Sequence, residues 1–210
     1  MDYANVLKEL EEACADFHIP ATRVAAEQTL LTFQKTPNIL PVCRYILENG
    51  NNSMVLFHAV TALKECFARE YRELTKLEVS ELKHSLLNYV FQKPTLERYV
   101  CEQILQVVAV IIKRSWQDNS DEEKGEIFNE IIGLIQTNLH GQNLGIRLFS
   151  SLTDEFSSTK ASSIGLSWDF HFSCKQSFEV IIVVVHCIPL FSFTYVFIRE
   201  CISLGSLNWI

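Results

Sequence analysis

The sequence contains no CxxC pair, no HExxH, no GxGxxG and no GxxxxGK[ST]. Each absence removes a class of chemistry. Without paired cysteines there is no zinc ribbon and no dithiol redox motif. Without HExxH the usual zinc-protease helix is missing, and without a glycine-rich loop the chain carries no phosphate cradle of its own, so no nucleotide cofactor is expected. The six histidines, 18, 58, 84, 140, 171 and 186, are scattered. No pair of carboxylates sits on an apolar helix face, so no acid and base are poised for catalysis and the chain reads as a non-enzyme. His171 and Cys174 have ligand-like spacing but no second pair, and a structural histidine is the better reading there.

Basic clusters are also scarce. The formal net charge is -7, and a general nucleic-acid binder needs clustered Lys and Arg to displace counterions from phosphates. Basic partners fit better. The seven cysteines mostly sit among Leu, Val and Ile, where a thiol behaves as a small hydrophobe, and they point to a reducing compartment, cytosol or nucleus. The N-terminus, MDYANVLKELEEACADF, is acidic and amphipathic, unlike the basic and then apolar start of a secretory signal.

What is present is helical periodicity. Apolar residues recur at helix spacing to about residue 157, with no competing alternation of strand type. Val6, Leu10 and Phe17 mark a first helix, and Ala26, Leu30 and Phe33 a second. Thr36 and Pro37 read as an N-cap and first helical position for a third. Helices are expected at about 53–71, 77–92 and 95–115, the last containing ILQVVAVII, apolar on nearly every side. Such a helix must be covered on several faces. Ser120 and Glu123 have the offset of a capping box for a seventh helix. HGQN (140–143) reads as a turn before an eighth, and SSTKASSIGLS from Ser157 as a loop.

Taken in pairs, first members start near 2, 37, 77 and 121 and second members near 21, 53, 95 and 142. A unit of about 35 to 45 residues is the period of HEAT-type repeats, in which each antiparallel pair buries a face on the next. The expected fold is therefore all-α, a HEAT-repeat α-solenoid of about four antiparallel helix pairs, with a plain helical bundle as the alternative.

RVAAEQTLLTFQKTP (23–37), with Ala26, Glu27, Leu30 and Phe33, resembles the second helix of the importin-beta or karyopherin superfamily. VCRYILENGN (42–51), VLFHAVTALKECFAREY (55–71), YVFQKPTLERYVCEQILQVVAVIIKRSW (89–116) and EFSSTKASSIGLSWDFHFSCKQSFE (155–179) are similar to its exportin-4 branch. A Ser-rich loop has no packing reason to read SSIGLS before an aromatic and acidic run, so the last stretch carries most weight. The resemblance covers residues 1 to about 179, the N-terminal end of a much longer receptor.

That resemblance implies a nuclear transport receptor that shuttles between nucleus and cytoplasm. It implies binding to the GTPase Ran in its GTP form, with the nucleotide held by Ran and not by this chain, and to phenylalanine-glycine repeats of the nuclear pore. It also implies protein cargo: a translation factor, Smad-type proteins and transcription factors. Family members grip Ran with the second helices of their first repeats, so Lys64, Glu65, Arg69, Lys113, Arg114, Asp154 and Glu155 are the candidate contacts. Lys113 and Arg114 have a plainer reading, as complements to the negative end of a long helix, worth about 0.3 to 1 kcal/mol each.

The last segment stands apart. The expected organisation is 1–157 as N-terminal HEAT repeats, 158–179 as the loop and start of a further repeat, and 180–210 as a hydrophobic tail unlike the family. From Val180 to Ile198, fifteen of nineteen residues are apolar, and about 28 Å of helix nearly matches the ~30 Å hydrocarbon core of a bilayer. Pro189 in its middle, the crowd of β-branched and aromatic residues and the lack of a basic flank argue against a span. Because every valine codon begins with GT, the bases of a splice donor, a frame running past an exon end at Glu179 would read Val180 next, and intron read-through is the expected origin of the tail. The competing readings are a membrane-tethered helical adaptor anchored by 180–198 and a non-functional truncated splice product.

Overall fold

In the computed structural model, residues 2–157 and 166–186 are described, and they contain α-helices, one 3-10 turn and no strand. The helices are α1 (Tyr3–Asp16), α2 (Arg23–Lys35), α3 (Leu40–Asn49), α4 (Ser53–Glu70), α5 (Lys76–Gln92), α6 (Arg98–Ser115), α7 (Asp121–Thr137), α8 (Leu139–Ser157) and α9 (Trp168–His186), with the 3-10 turn Tyr71–Glu73 after α4. This is the all-α, HEAT-like fold that the periodicity predicts.

Local chemistry sets most helix starts. Asp2 accepts from the amides of Ala4 and Asn5 at the head of α1, and Asn52 accepts from those of Met54 and Val55 at the head of α4. Each satisfies donors that a helix otherwise leaves bare, typically worth about 1 kcal/mol. The capping box expected from Ser120 and Glu123 is present at the head of α7, and a second, Thr75 with Glu78, opens α5. Accepting from the Thr75 amide and hydroxyl holds the Glu78 carboxyl below its ordinary range.

Two expected boundaries are corrected. Thr36 does not cap α3. It closes α2 instead, and the chain turns through Asn38, whose φ of 53° lies in the left-handed region that Asn tolerates, before α3 begins at Leu40 with Pro41 in its first turn. HGQN is not a turn but part of the first turn and a half of α8. The break comes one step earlier, at Asn138, whose side chain accepts from the Gly141 amide.

The chain divides into two units within α6, at Val107 and Val108. In the first, α1 packs on α2, α3 and α4, while α4 also packs on α2 and α3. The core is dominated by α4, with Val55, Ala59, Val60, Leu63 and Phe67 all fully buried. In the second, α7 packs on α8 and both meet α9. Its aromatic centre stacks Phe156 on Phe178 with ring centroids 4.3 Å apart, and Trp116 stands edge-on to Phe156 at 4.9 Å. α6 is buried at every position from Val107 to Ile112, as its all-round apolar surface requires.

Residues 158–165 and 187–210 lie outside the described residues, and so do most of the Ser-rich loop and most of the tail. The boundary expected between Glu179 and Val180 falls inside α9, which runs unbroken through it. No helix among the described residues is long and apolar enough to cross a membrane.

Candidate functional site

In the first unit, one face of α4 carries Phe57, Thr61, Lys64, Glu65 and Arg69, at spacings that a 3.6-residue period places together. α6 lies beside it. Phe57 meets Tyr99 with ring centroids 5.7 Å apart. Gln103 Nε2 donates to Thr61 Oγ1 at 3.1 Å, and that hydroxyl donates in turn to the Phe57 carbonyl at 2.9 Å. Lys64 Nζ donates to Gln106 Oε1 at 3.0 Å. The three cross-contacts join residues of equal sequence separation, 42 in each of the two hydrogen bonds. The repeat period thus has a side-chain expression, an aromatic rung followed by two polar ones.

At the other edge of α4, Gln34 Nε2 lies 3.2 Å from His58 Nδ1. An amide donor there needs an unprotonated ring nitrogen, and burial lowers the pKa of His58 in agreement. Arg69 Nη2 donates to the Thr36 carbonyl at 3.4 Å, and the Glu70 carboxylate accepts from the Asn38 amide at 3.2 Å. The end of α4 therefore secures the turn between α2 and α3. Glu65 and Arg69 are exposed and Lys64 is half-buried, so these three candidates lie on an accessible, locally braced surface.

The second unit treats its candidates differently. Asp154 is exposed, but Lys113 and Glu155 are each only 2% exposed and Arg114 6%. Lys113 Nζ lies 3.7 Å from Glu155 Oε1 and donates to the Glu155 main-chain carbonyl. Lys113, Arg114 and Glu155 are therefore corrected from surface contacts to interior groups: a charge held among apolar side chains cannot also meet a partner. The pair joins α6 to α8 at the same separation of 42.

His171, on α9, is buried and its pKa is lowered, first by desolvation and then by the positive charges of Lys113 and Arg114. The Cys174 thiol, fully buried, is pushed up to about 11 by desolvation. Among the described residues no three His, Cys, Asp or Glu side chains gather as a metal site. Chemically, the α4 and α6 surface offers amides, a hydroxyl, an ammonium, a guanidinium and two rings, a set suited to binding. Sequence reading missed Phe57, Thr61, Tyr99, Gln103 and Gln106 there. The available signal was the repeat length itself, which pairs positions at a fixed offset.

The exportin-4 family model matches residues 1–198, past the Glu179 at which the quoted stretches end. The chain is 28% identical over 200 residues to exportin-4 of Dictyostelium discoideum, covering 88% of this chain and 17% of that protein. It is 30% identical over 156 residues to Ran-binding protein 17 of Homo sapiens, covering 71% of this chain and 14% of that protein. It is 26% identical over 168 residues to exportin-7-B of Xenopus laevis, covering 77% and 15%. The chain thus spans less than a fifth of the length of these relatives.

Proposed function

The chain belongs to the exportin-4 family of nuclear transport receptors, which are not enzymes, and from that premise we propose that it binds Ran in its GTP form and contributes to carrying protein cargo between nucleus and cytoplasm. The observation that carries this reading is the family match over residues 1–198, joined by a relative whose name is Ran-binding protein. The nucleotide belongs to Ran. The cargo classes are those of the resemblance, a translation factor, Smad-type proteins and transcription factors, and pore passage uses weak contacts with phenylalanine-glycine repeats.

Within this chain, Lys64, Glu65 and Arg69 on α4 form the part of the Ran surface in the first unit, and Asp154 the part in the second. Charges at the accessible edge of an interface govern association rate and partner choice more than raw affinity. A mixed set of basic and acidic groups held by rungs to α6 suits recognition of that kind.

The test is capture of Ran by the immobilised 210-residue chain, comparing Ran loaded with a non-hydrolysable GTP analogue against Ran-GDP. Preferential recovery of the GTP form by tenfold or more is expected, equivalent to about 1.4 kcal/mol of discrimination. Charge reversal by Glu65→Lys with Arg69→Glu should lower it several-fold, chiefly through a slower association rate. Equal recovery of the two nucleotide forms would remove Ran from this reading and leave the family membership intact.

A further inference from the structure

The chain has five prolines, and Pro37 alone follows a serine or threonine. Thr36 closes α2 with φ -63° and ψ 130°, an extended backbone that the ring of the following proline favours. Lys35, Pro37 and Asn38 around it are exposed and Thr36 itself is half-buried. Its hydroxyl donates to the Thr32 carbonyl at 3.1 Å in exposed surroundings, where water can replace that bond. Two properties suit this hydroxyl to accept a phosphoryl group. A protein kinase reads its acceptor on extended peptide, and the backbone at Thr36 already has that form. Proline at the next position carries no N-H, so a kinase pocket that offers no acceptor there takes proline and rejects residues whose amide would be left unpaired. Lys35, Thr36 and Pro37 have the form that such a kinase selects.

The surroundings decide what a phosphate would meet. Arg69 Nη2, on α4, donates to the Thr36 main-chain carbonyl at 3.4 Å, and Lys35 is the last residue of α2. Against them stand the C-terminal end of α2, worth about half a negative charge, and the Glu70 carboxylate, which accepts from the Asn38 amide at 3.2 Å. The two cations outweigh these negative charges. A guanidinium also presents paired N-H groups that match phosphate oxygens two at a time, so Arg69 is the better phosphate partner of the two.

We infer that Thr36 is a phosphorylation site for a proline-directed protein kinase, and that Arg69 turns from the Thr36 carbonyl to hold the phosphate. The γ-phosphoryl group of ATP passes to Thr36 Oγ1: the new P-O bond forms as the bond from the γ-phosphorus to the β,γ-bridging oxygen breaks, the hydroxyl proton goes to the kinase's base, and ADP leaves. The product carries about -1.5 to -2 charge at pH 7 and three acceptor oxygens beside the guanidinium. Arg69 is one of the three α4 contacts proposed above. Resting on that reading, phosphorylation withdraws a cation from the partner surface and slows association with Ran.

The test treats the intact 210-residue chain with magnesium-ATP and two purified proline-directed kinases in parallel, one cyclin-dependent and one mitogen-activated. Peptide mapping should find Thr36 phosphorylated by at least one of them, at least ~tenfold faster than in Pro37→Ala. Phosphorus-31 titration should place the second ionisation of the phosphate about half a pH unit lower in the parent chain than in Arg69→Gln, because a nearby cation favours the dianion. Association with Ran loaded with a non-hydrolysable GTP analogue should slow several-fold when the parent is phosphorylated and stay unchanged when Arg69→Gln is. Absence of phosphate on Thr36 with both kinases, or equal phosphorylation of Pro37→Ala, overturns the site. Equal titration midpoints in parent and variant overturn the role of Arg69. An unmodified chain that fails to bind Ran-GTP would sink the Ran reading instead, since the first two measurements involve no Ran.

Discussion

Lys113 and Glu155, 42 residues apart on α6 and α8, form an ion pair at 3.7 Å with each side chain 2% exposed. A pair so enclosed gains little net energy, because desolvating both charges offsets their attraction. Its leverage lies in what remains when one member is lost. Lys113→Ala or Glu155→Ala should lower unfolding free energy by about 3 to 5 kcal/mol in urea titration. Replacing both, Lys113→Met with Glu155→Leu, should recover most of that loss. A double variant as unstable as the singles would contradict this account.

Stability should fall below neutral pH in a way that His171 controls. Its folded-state pKa lies below the ordinary value of 6.5, so the unfolded chain takes up the proton first. The stabilisation is whole above the unfolded pKa and is lost as pH falls from there through the lower folded value. Comparing chemical unfolding at pH 7.5 and pH 5.5, the loss should be smaller in His171→Gln than in the parent chain. Parallel losses in the two proteins would show that His171 does not titrate in that window.

Glycines separate two predictions of opposite sign. A Cβ at Gly145 would lie 2.6 Å from Ile135 Cγ1 and 3.0 Å from the Ile131 carbonyl, so α8 approaches α7 too closely for a side chain. Gly145→Ala should destabilise by about 1 to 3 kcal/mol through overpacking. Nothing lies within 4 Å of a Cβ at Gly125 or Gly133, both inside α7. Alanine at either should stabilise by roughly 0.5 to 1 kcal/mol, since it removes backbone freedom from the unfolded chain. Thermal melts of the three single variants give the comparison directly.

Cys14, Cys43, Cys66 and Cys174 are free thiols buried in the fold. Burial pushes the Cys14, Cys66 and Cys174 thiols up to about 11 and the Cys43 thiol higher still, and the Glu70 carboxylate beside Cys66 adds to its shift. At pH 7.5 the thiolate, which is the reactive form, is therefore a very small fraction. Peptide mapping after iodoacetamide should find these four alkylated at least ~100-fold more slowly in the native chain than in urea. Fast native labelling of Cys43 or Cys66 would mean that α3 and α4 separate readily.

Much of the helix pattern is legible in the sequence because a 3.6-residue apolar period is a local property. Val55, Ala59 and Phe67 show the buried face of α4 without help from other helices. The start of α3 was misplaced because Thr36 followed by Pro37 has the chemistry of a helix start, while here the Thr36 amide closes α2 on the Phe33 carbonyl. Deciding between the two required the backbone of Asn38. The exposure of the candidate residues was legible by halves. Glu65 and Arg69 read as exposed and are, whereas Lys113 and Arg114 at the end of α6 look like any solvated helix end until Glu155 is brought beside them. That information lies 42 residues away, and a single-helix pattern does not contain it.

The rungs between α4 and α6 also set how the first unit yields under load. Phe57 with Tyr99, Thr61 with Gln103 and Lys64 with Gln106 share one register, so the helices engage like the teeth of a closed zip. Sliding one along the other by a turn, about 5.4 Å, would disengage every tooth at once. Tilting them about the row disturbs the teeth only gradually. A row of contacts in one register therefore opposes sliding of α4 along α6 more strongly than a small change of their tilt.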